Sequence, residues 1–137
     1  MFERVREKEQ AKSVFRRDKY LKYAGIHLLL DLWGARNLSD LGLVEKALRE
    51  AIDTCGATLL QIKLHHFSPF GGISGVAIIK ESHFSIHTWP EYDYAAIDIF
   101  VCGEIDPYTA IPVFKRYFTP SRIQLMDVKR GIFHDLL

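Results

Sequence analysis

The stretch that decides the fold is residues 81–92, which read ESHFSIHTWPEY, followed by Tyr94–Cys102, which reads YAAIDIFVC. The side chains of Ser82–Trp89 fall into two sets at alternating positions, which is the two-residue period of a β-strand. The second segment is rich in Ile, Val and aromatic residues, as a largely buried strand is. Pro90 has no N–H for a strand ladder, so we expect a hairpin that turns near Glu91. The alternating sets are Phe84, Ile86 and Thr88 on one face and His83, Ser85, His87 and Trp89 on the other.

The predicted hairpin carries three reactive side chains. Antiparallel pairing about the turn sets Ser82 opposite Val101 or Cys102. Because His87 lies in the same strand as Ser82, a hydroxyl, an imidazole and a thiol occur within one hairpin. We therefore expect the hairpin to bring these groups together as a site.

The rest of the chain predicts an α+β fold. Hydrophobic periodicity and capping residues give the order strand, helix, strands, helix, strand. This order favours a two-layer α/β sandwich, with a mainly antiparallel sheet and both helices on one face. In the second strand, strict alternation puts Leu60 on the same face as Ile62 and Leu64. The further predicted elements are strands over residues 23–32, 58–67, 73–80 and 122–129, a helix capped within residues 37–40 and ended by Gly56, and a helix over residues 108–118 after Asp106 and Pro107.

The junction before the hairpin is unusual. The strand over residues 73–80 runs into Glu81 and Ser82 with no turn residue between them. A strand that enters another without a turn has two explanations. Either one long bent strand covers the junction, or the chain is cut there.

Length and composition indicate a soluble protein with one core. A chain of 137 residues with 48% hydrophobic residues suits a single domain. No apolar run approaches the roughly 18 residues of a membrane span, and the charged start of the chain is not a secretory signal. Two cysteines give no disulfide framework, which favours the reducing cytoplasm. A net charge of +1 gives no overall attraction to nucleic acid or to an anionic membrane.

The chain divides into a charged N-terminal extension, residues 1–20, and a single domain, residues 21–137. The extension mixes basic and acidic residues, which is typical of an exposed helix or a loose tail. A solvated extension is favoured over a nucleic-acid-binding arm, because aromatic residues do not alternate with the basic ones.

Four short motifs carry a resemblance to a known family: KESH at residues 80–83, IHTWPE at 86–91, AAID at 95–98 and CG at 102–103. At these spacings they resemble the small prokaryotic S-adenosylmethionine decarboxylases. Those are pyruvoyl-dependent enzymes made as a proenzyme that cleaves itself. The similarity runs over residues 25–132 and leaves the N-terminal extension outside.

The resemblance implies a self-processing reaction. Cleavage between Glu81 and Ser82 would give a β chain, residues 1–81, and an α chain, residues 82–137. Ser82 would become a pyruvoyl group that forms a Schiff base with S-adenosylmethionine. Release of CO2 would then give decarboxylated S-adenosylmethionine, the aminopropyl donor for spermidine biosynthesis.

The resemblance also implies roles for individual residues. His87 would transfer a proton during processing, Ser74 would assist processing, and Cys102 would be the proton donor in catalysis. Phe67 would stack on the adenine, and Glu91 would accept hydrogen bonds from the ribose hydroxyls. An unperturbed imidazole is largely neutral and a thiol mostly protonated at cellular pH, so both types suit these roles. In this family the sites are shared between two protomers, so a homodimer of αβ units is expected.

The chemistry of decarboxylation explains the need for a pyruvoyl group. Loss of CO2 from an amino acid leaves a carbanion that ordinary side chains do not delocalise, so enzymes use an electron sink such as pyridoxal phosphate. The chain looks short for the usual pyridoxal phosphate folds. A pyruvoyl group made from Ser82 is a smaller sink, so we expect no pyridoxal phosphate.

The histidines raise the question of a metal site. His65, His66, His83 and His87 are candidate ligands, but neighbours in a strand point to opposite faces, so His65 and His66 do not easily share one ion. His27, alone on an apolar strand, is more typical of a hydrogen-bonded core residue than of a ligand. We expect no metal.

Two other functions stay open at this point. A pyruvoyl-dependent arginine or ornithine decarboxylase on the same scaffold would share Ser82, His87 and Cys102 and differ in the substrate pocket. A non-catalytic paralogue would never be cleaved, but it would have no chemical need to keep all three residues. Measuring CO2 release from each substrate distinguishes the two enzymes.

Overall fold

The structure, a computed structural model, describes residues 16–17 and 21–133. Its strands are β1 (Arg16–Arg17), β2 (Lys22–Tyr23), β3 (Gly25–Trp33), β4 (Leu59–His66), β5 (Ile73–Ile79), β6 (Ser82–Trp89), β7 (Tyr94–Cys102) and β8 (Arg122–Arg130), and its α-helices are α1 (Leu41–Thr54) and α2 (Ala110–Phe118). Strands β3 to β8 form an antiparallel sheet in the order β4-β5-β6-β7-β3-β8. The two helices pack together on one face of this sheet. The predicted α+β sandwich is confirmed.

The core lies between the helices and one face of the sheet. Alternate strand residues such as Leu28, Phe84 and Ile97 point toward the helices and are buried. Burial of an apolar stripe on each helix, rather than helix propensity, stabilises the two helices. The opposite face of the sheet, which we call the outer face, carries the alternating set that includes Ser74 and His87. The buried helix residues are Val44, Ala47, Leu48, Ala51 and Ile52 in α1 and Ala110, Val113, Phe114 and Phe118 in α2.

Capping residues set the helix limits largely as predicted. The Asp40 carboxylate accepts a backbone N–H of the first turn of α1 at 3.1 Å. Gly56 follows the end of that helix with a φ of 78°, a conformation that favours glycine. Asp106 caps the second helical segment, but its first turn, Pro107–Thr109, is a 3-10 turn rather than part of the predicted α-helix.

A tight hairpin joins β5 and β6, so the first of the two explanations, one long bent strand, is wrong. The second explanation, a cut in the chain, stays a prediction. Ile79 pairs with Ser82, which leaves Lys80 and Glu81 to make the turn. No glycine is needed, because Ser82 itself adopts a φ of 139°, which residues with side chains rarely do. Since a turn of this kind contains no typical turn residue, the sequence pattern does not reveal it.

A β-bulge in β4 changes the predicted faces of that strand. The pairing with β5 shifts register between Leu59 and Gln61. Leu59 therefore packs against the core with Ile62, whereas Leu60 is 64% exposed. The expectation that Leu60 shares a face with Ile62 is wrong, because the extra residue reverses the alternation.

Part of the charged N-terminal segment forms a strand. Arg16–Arg17 pairs antiparallel with Lys22–Tyr23, and the Arg16 guanidinium donates a hydrogen bond to the Ile105 carbonyl. The prediction of a helix or a loose tail is wrong at these two residues, and the others of residues 1–20 lie outside the described part.

Among the described residues, no helix is long and apolar enough to cross a membrane.

Phe114→Ala should lower the free energy of unfolding by about 3–5 kcal/mol, because the Phe114 ring is fully buried in the core. Urea denaturation followed by circular dichroism measures the change. Tyr92→Ala is the control: its ring is 71% exposed, so the loss should stay below about 0.5 kcal/mol. Equal losses in the two variants would contradict this assignment of the core.

Candidate active site

The first group of site residues predicted from the sequence is Glu81, Ser82 and Cys102, at one end of β6 and β7. We call this group the cleavage-site cluster. Ser82 pairs with Val101 on β7, one of the two partners that the sequence allows, and with Ile79 on β5. Its φ of 139° is strained for a residue with a side chain, at a cost on the order of 1–3 kcal/mol. The bond that the motif marks for cleavage therefore lies in a strained turn with a paired strand on each side.

The carbonyl group of Glu81 is held by a hydrogen bond. The backbone N–H of Cys102 donates to this carbonyl at 3.0 Å. The Glu81 carboxylate accepts the backbone N–H of Thr58 at 3.1 Å, which fixes the side chain as well. An N–H aimed at a carbonyl stabilises the negative charge that develops on its oxygen during nucleophilic attack. The backbone of Cys102 is thus placed to assist a reaction at the bond between residues 81 and 82.

The second group, Phe67, Ser74, His87 and Glu91, lines a cavity of about 210 Å³, and we call it the pocket cluster. Ser74 on β5 pairs with His87 on β6. A hydrogen bond of 2.8 Å joins Ser74 Oγ to His87 Nδ1, so Nε2 of the imidazole is left for another partner. Phe67 is 50% exposed, which keeps its ring accessible at the cavity. The structure thus brings these four predicted residues together.

The buried hydroxyl of Thr88 supports the pocket cluster from the core side. It donates to the Leu38 carbonyl at 2.7 Å and accepts the Ile73 N–H at 2.9 Å. Gly72 is required beside it, because a Cβ at that position would lie 2.9 Å from the Thr88 carbonyl oxygen. These contacts hold the start of β5 against the end of β6, which aligns the two strands at the pocket cluster.

The two clusters lie at opposite ends of β6. Ser82 starts the strand and pairs with Val101, whereas His87 lies near the turn and pairs with Ala96. This separation along the strand is roughly 17 Å, at about 3.3 Å per residue. The expectation that the hairpin brings the hydroxyl, the imidazole and the thiol together is therefore wrong within one chain. Ser82 lies near Cys102, and His87 does not.

A third group of side chains lies on the outer face. Asp98 on β7 is hydrogen-bonded to Nε2 of His27 on β3, at 2.8 Å, and to Nε2 of His83 on β6, at 2.9 Å. Ser85 donates to its other carboxylate oxygen. Burial opposes ionisation, but the hydrogen bonds outweigh it and lower the pKa of Asp98 below its ordinary value of 3.8. We call these four residues the His–Asp network. The predicted hydrogen bond of His27 is confirmed, but its predicted place in the core is wrong, because the side chain lies on the outer face and is 20% exposed.

The chain is similar along most of its length to proteins of one known family. A family model described as S-adenosylmethionine decarboxylase matches residues 26–131. The chain belongs to this S-adenosylmethionine decarboxylase family. It is 50% identical over 115 residues to the S-adenosylmethionine decarboxylase proenzyme of Methanococcus maripaludis. The aligned region covers 82% of this chain and 93% of that relative. It is 46% identical over 116 residues to the proenzyme of Thermomicrobium roseum. That aligned region covers 84% of this chain and 100% of the relative.

A solved structure of the S-adenosylmethionine decarboxylase family has the same fold. The crystal structure of the adenosylmethionine decarboxylase from Aquifex aeolicus VF5 superimposes with a TM-score of 0.71 at 32% identity. The match covers 86% of this chain and 97% of that chain. The resemblance read from four motifs is therefore confirmed, and the region matched by the family model contains both clusters and the His–Asp network.

Some neighbours of these family motifs are not apparent from the sequence. Asp98 lies inside a quoted motif, but its link to His27 depends on the pairing of distant strands. His65 and His87 pair with Ser74 from its two sides, while His83 lies in the His–Asp network, so the histidines considered as a metal cluster are divided. The rings of His65 and Phe67 also pack edge to face, with their centroids 4.4 Å apart.

Proposed function

We propose that this chain is an S-adenosylmethionine decarboxylase that makes its own pyruvoyl group by cleavage between Glu81 and Ser82. One observation carries the proposal: the strained Ser82 directly follows a carbonyl that accepts the Cys102 N–H at 3.0 Å. The relatives from Methanococcus maripaludis and Thermomicrobium roseum are named proenzymes, which supports self-processing. The product, decarboxylated S-adenosylmethionine, is the aminopropyl donor for spermidine biosynthesis.

Processing begins with the Ser82 hydroxyl. Its Oγ attacks the Glu81 carbonyl carbon while the Cys102 N–H stabilises the oxygen, and the C–N bond breaks to leave an ester and a free amine. Relief of the strained φ at Ser82 favours this step. A base then removes the Ser82 Cα proton, the bond between Cβ and Oγ breaks by β-elimination, and the main-chain carboxylate of residue 81 leaves. The dehydroalanine that remains is hydrolysed to the pyruvoyl group and ammonia.

The residues around Ser82 suit a pyruvoyl group. Such a group supplies a ketone through which the substrate amine becomes conjugated to a carbonyl, which stabilises the charge left when CO2 departs. In the uncleaved chain, Ile79 and Val101 pair with residue 82 from both sides, which places it between β5 and β7. The thiol of Cys102, on the neighbouring strand, is the group to which we assign return of a proton to the substrate Cα.

We infer that each active site is completed by a second copy of this chain. Processing needs a base near Ser82, yet His87 lies roughly 17 Å away along the same strand. Both Cys102 and the Ser74–His87 pair lie on the outer face, which also exposes large apolar side chains. Two outer faces packed together in opposite directions would bring the end of β6 that carries residue 82 in one copy to His87 of the other. The exposed apolar residues of this face are Leu29, Val76, Ile78, Trp89, Met126 and Val128.

The pocket cluster suits the nucleoside part of the substrate. The accessible Phe67 ring offers a face for adenine and attracts a sulfonium cation. The Glu91 carboxylate at the same cavity accepts hydrogen bonds from ribose hydroxyls. The cavity volume of about 210 Å³ is below the lower limit of typical ligand pockets, which is roughly 300 Å³. The shortfall supports completion of the pocket by the second copy.

The proposed chemistry requires a reducing compartment. Cys102 acts only as a free thiol, and both Cys55 and Cys102 are unpaired, so we place the reaction in the cytoplasm. No observation favours arginine or ornithine as the substrate, or an uncleaved paralogue.

Purified protein should separate into two species by intact-mass measurement, residues 1–81 and residues 82–137 with a pyruvoyl group at the start. Ser82→Ala should give one species close to 15.8 kDa, because it lacks the nucleophile. Ser121→Ala, a serine outside both clusters, should be cleaved like the wild type. The cleaved protein should release CO2 from S-adenosylmethionine and not from arginine or ornithine. A wild-type chain that stays whole after prolonged incubation would contradict the proposal.

Cys102→Ala should still be cleaved, because its backbone N–H remains, but its kcat should fall by about 100-fold or more with loss of the proton donor. Single-turnover assays of CO2 release measure this. Cys55→Ala removes the other thiol, which is buried at the end of α1, and should leave kcat near the wild-type value. Wild-type turnover by Cys102→Ala would remove the thiol from the mechanism.

Co-expression of two inactive variants tests whether the site is shared. His87→Ala alone should stay largely uncleaved, because both of its sites lack the imidazole. When it is co-expressed with Ser82→Ala, the His87→Ala chain should be cleaved, since its Ser82 meets His87 of the other copy. Different affinity tags identify the chains by mass. Failure of the mixed dimer to cleave, or equal cleavage of His87→Ala by itself, would contradict the shared site.

A further inference from the structure

Cleavage turns the start of β6 into a chain end. Once the bond between residues 81 and 82 breaks, the first residue of the α chain bears the reactive ketone and has no covalent link to β5. Chain ends fray unless other contacts hold them. The other new end keeps a contact, because the Glu81 carboxylate accepts the Thr58 N–H at 3.1 Å. The α chain therefore needs an anchor of its own close to residue 82.

The His–Asp network lies one residue from that end. His83 directly follows residue 82, and its Nε2 is hydrogen-bonded to Asp98 at 2.9 Å. Asp98 is also hydrogen-bonded to Nε2 of His27, at 2.8 Å. These residues belong to β6, β7 and β3, which are neighbours in the sheet, so the network links the start of β6 across two further strands. The His27 and His83 rings also meet edge to face at 5.9 Å, and both lie against Phe100.

We propose that Asp98 is a positioning residue that anchors the ketone-bearing end of the α chain after cleavage, acting through His83. The inference rests on the proposed function, because it concerns the cleaved chain. Before cleavage, the two-residue turn holds Ser82 covalently, so the network is not needed for processing. After cleavage, the ketone stays beside Cys102 only while His83 keeps its place, and a displacement of about 1 Å can lower a rate by about 100-fold.

The geometry indicates an anchor rather than a metal centre. Two imidazoles and a carboxylate are also a common set of metal ligands, and their donor atoms lie within 4.8 Å of one another. Both Nε2 atoms, however, lie at N–H···O distance from one Asp98 oxygen, and Ser85 donates to the other oxygen. The carboxylate is therefore satisfied by donors, and hydrogen bonds to an ionised acceptor are among the stronger ones in proteins.

Asp98→Asn tests the inference, because it removes the charge and nearly keeps the shape. Intact mass should show the same cleavage as in the wild type, and titration of the ketone the same amount of pyruvoyl group per chain. The kcat for CO2 release should fall at least about tenfold. Amide hydrogen exchange over residues 83–88 should rise at least about tenfold in the cleaved protein, and stay unchanged when the substitution is made in the uncleavable Ser82→Ala chain.

Asp31→Asn is the matched control. Asp31 is another outer-face carboxylate, and it accepts the Tyr94 hydroxyl at 2.6 Å. It lies four residues after His27 along β3 and is not part of the His–Asp network. Burial and this hydrogen bond raise the pKa of Tyr94 to about 12, so the hydroxyl stays a donor. The control should leave kcat and exchange over residues 83–88 within about twofold of the wild type.

Equal increases in exchange in the cleaved and uncleavable proteins would overturn the inference, because they would indicate a general role in folding. A cleaved Asp98→Asn enzyme with wild-type kcat would overturn it too. If Asp98→Asn does not fold, His27→Gln, which keeps Asp98 and a side-chain N–H, should show a smaller change in the same direction. If the wild-type chain never cleaves, the proposed function is overturned. If the wild type is cleaved and active, and Asp98→Asn has the same kcat and the same exchange over residues 83–88, this inference alone is overturned.

Discussion

The antiparallel register of β5, β6 and β7 is the constraint on which the rest of the structure depends. Pairing Ile79 with Ser82 leaves two residues for the turn, and pairing Ser82 with Val101 fixes the same residue from the other side. Ser82 meets both partners with a φ of 139°. Strain of this kind persists where the surrounding structure over-determines it. The sheet thus concentrates strain next to the peptide link that the family motif marks.

The same register sets the faces of the candidate site. Because side chains alternate along a strand, the residues between the core positions of the sheet all point to the outer face. His87 and Cys102 are among them, and a slip of one residue would turn both toward the helices. Phe67 and Glu91, by contrast, lie just outside the strands. Reactive groups are therefore carried by rigid strands, and the groups assigned to substrate recognition by the segments that connect them.

Local patterns in the sequence predict much of the fold, and contacts between distant segments account for what they miss. Alternation and Pro90 are enough to give the limits of β6 and β7, since both signals lie within the strands themselves. The strained turn and the bulge at Leu60 contain no typical turn residue. The positions of Ser82 and His87 at opposite ends of β6 follow from the predicted limits of that strand, whereas the link between His27 and Asp98, 71 residues apart, depends on strand pairing. The four motifs identify the family, but they do not show that its site residues lie in two places on one chain.

The strand order would interleave the two products of the proposed cleavage. β3, from the N-terminal product, lies between β7 and β8 of the C-terminal product, while β6 pairs with β5 on the other side. Neither product has a contiguous sheet of its own, so neither can leave without breaking the ladders of the other. Denaturation of the cut molecule is then also a dissociation, and its midpoint should rise with protein concentration, as mass action requires. After the proposed cleavage, the protein would in this sense be an interlocked heterodimer encoded as one polypeptide.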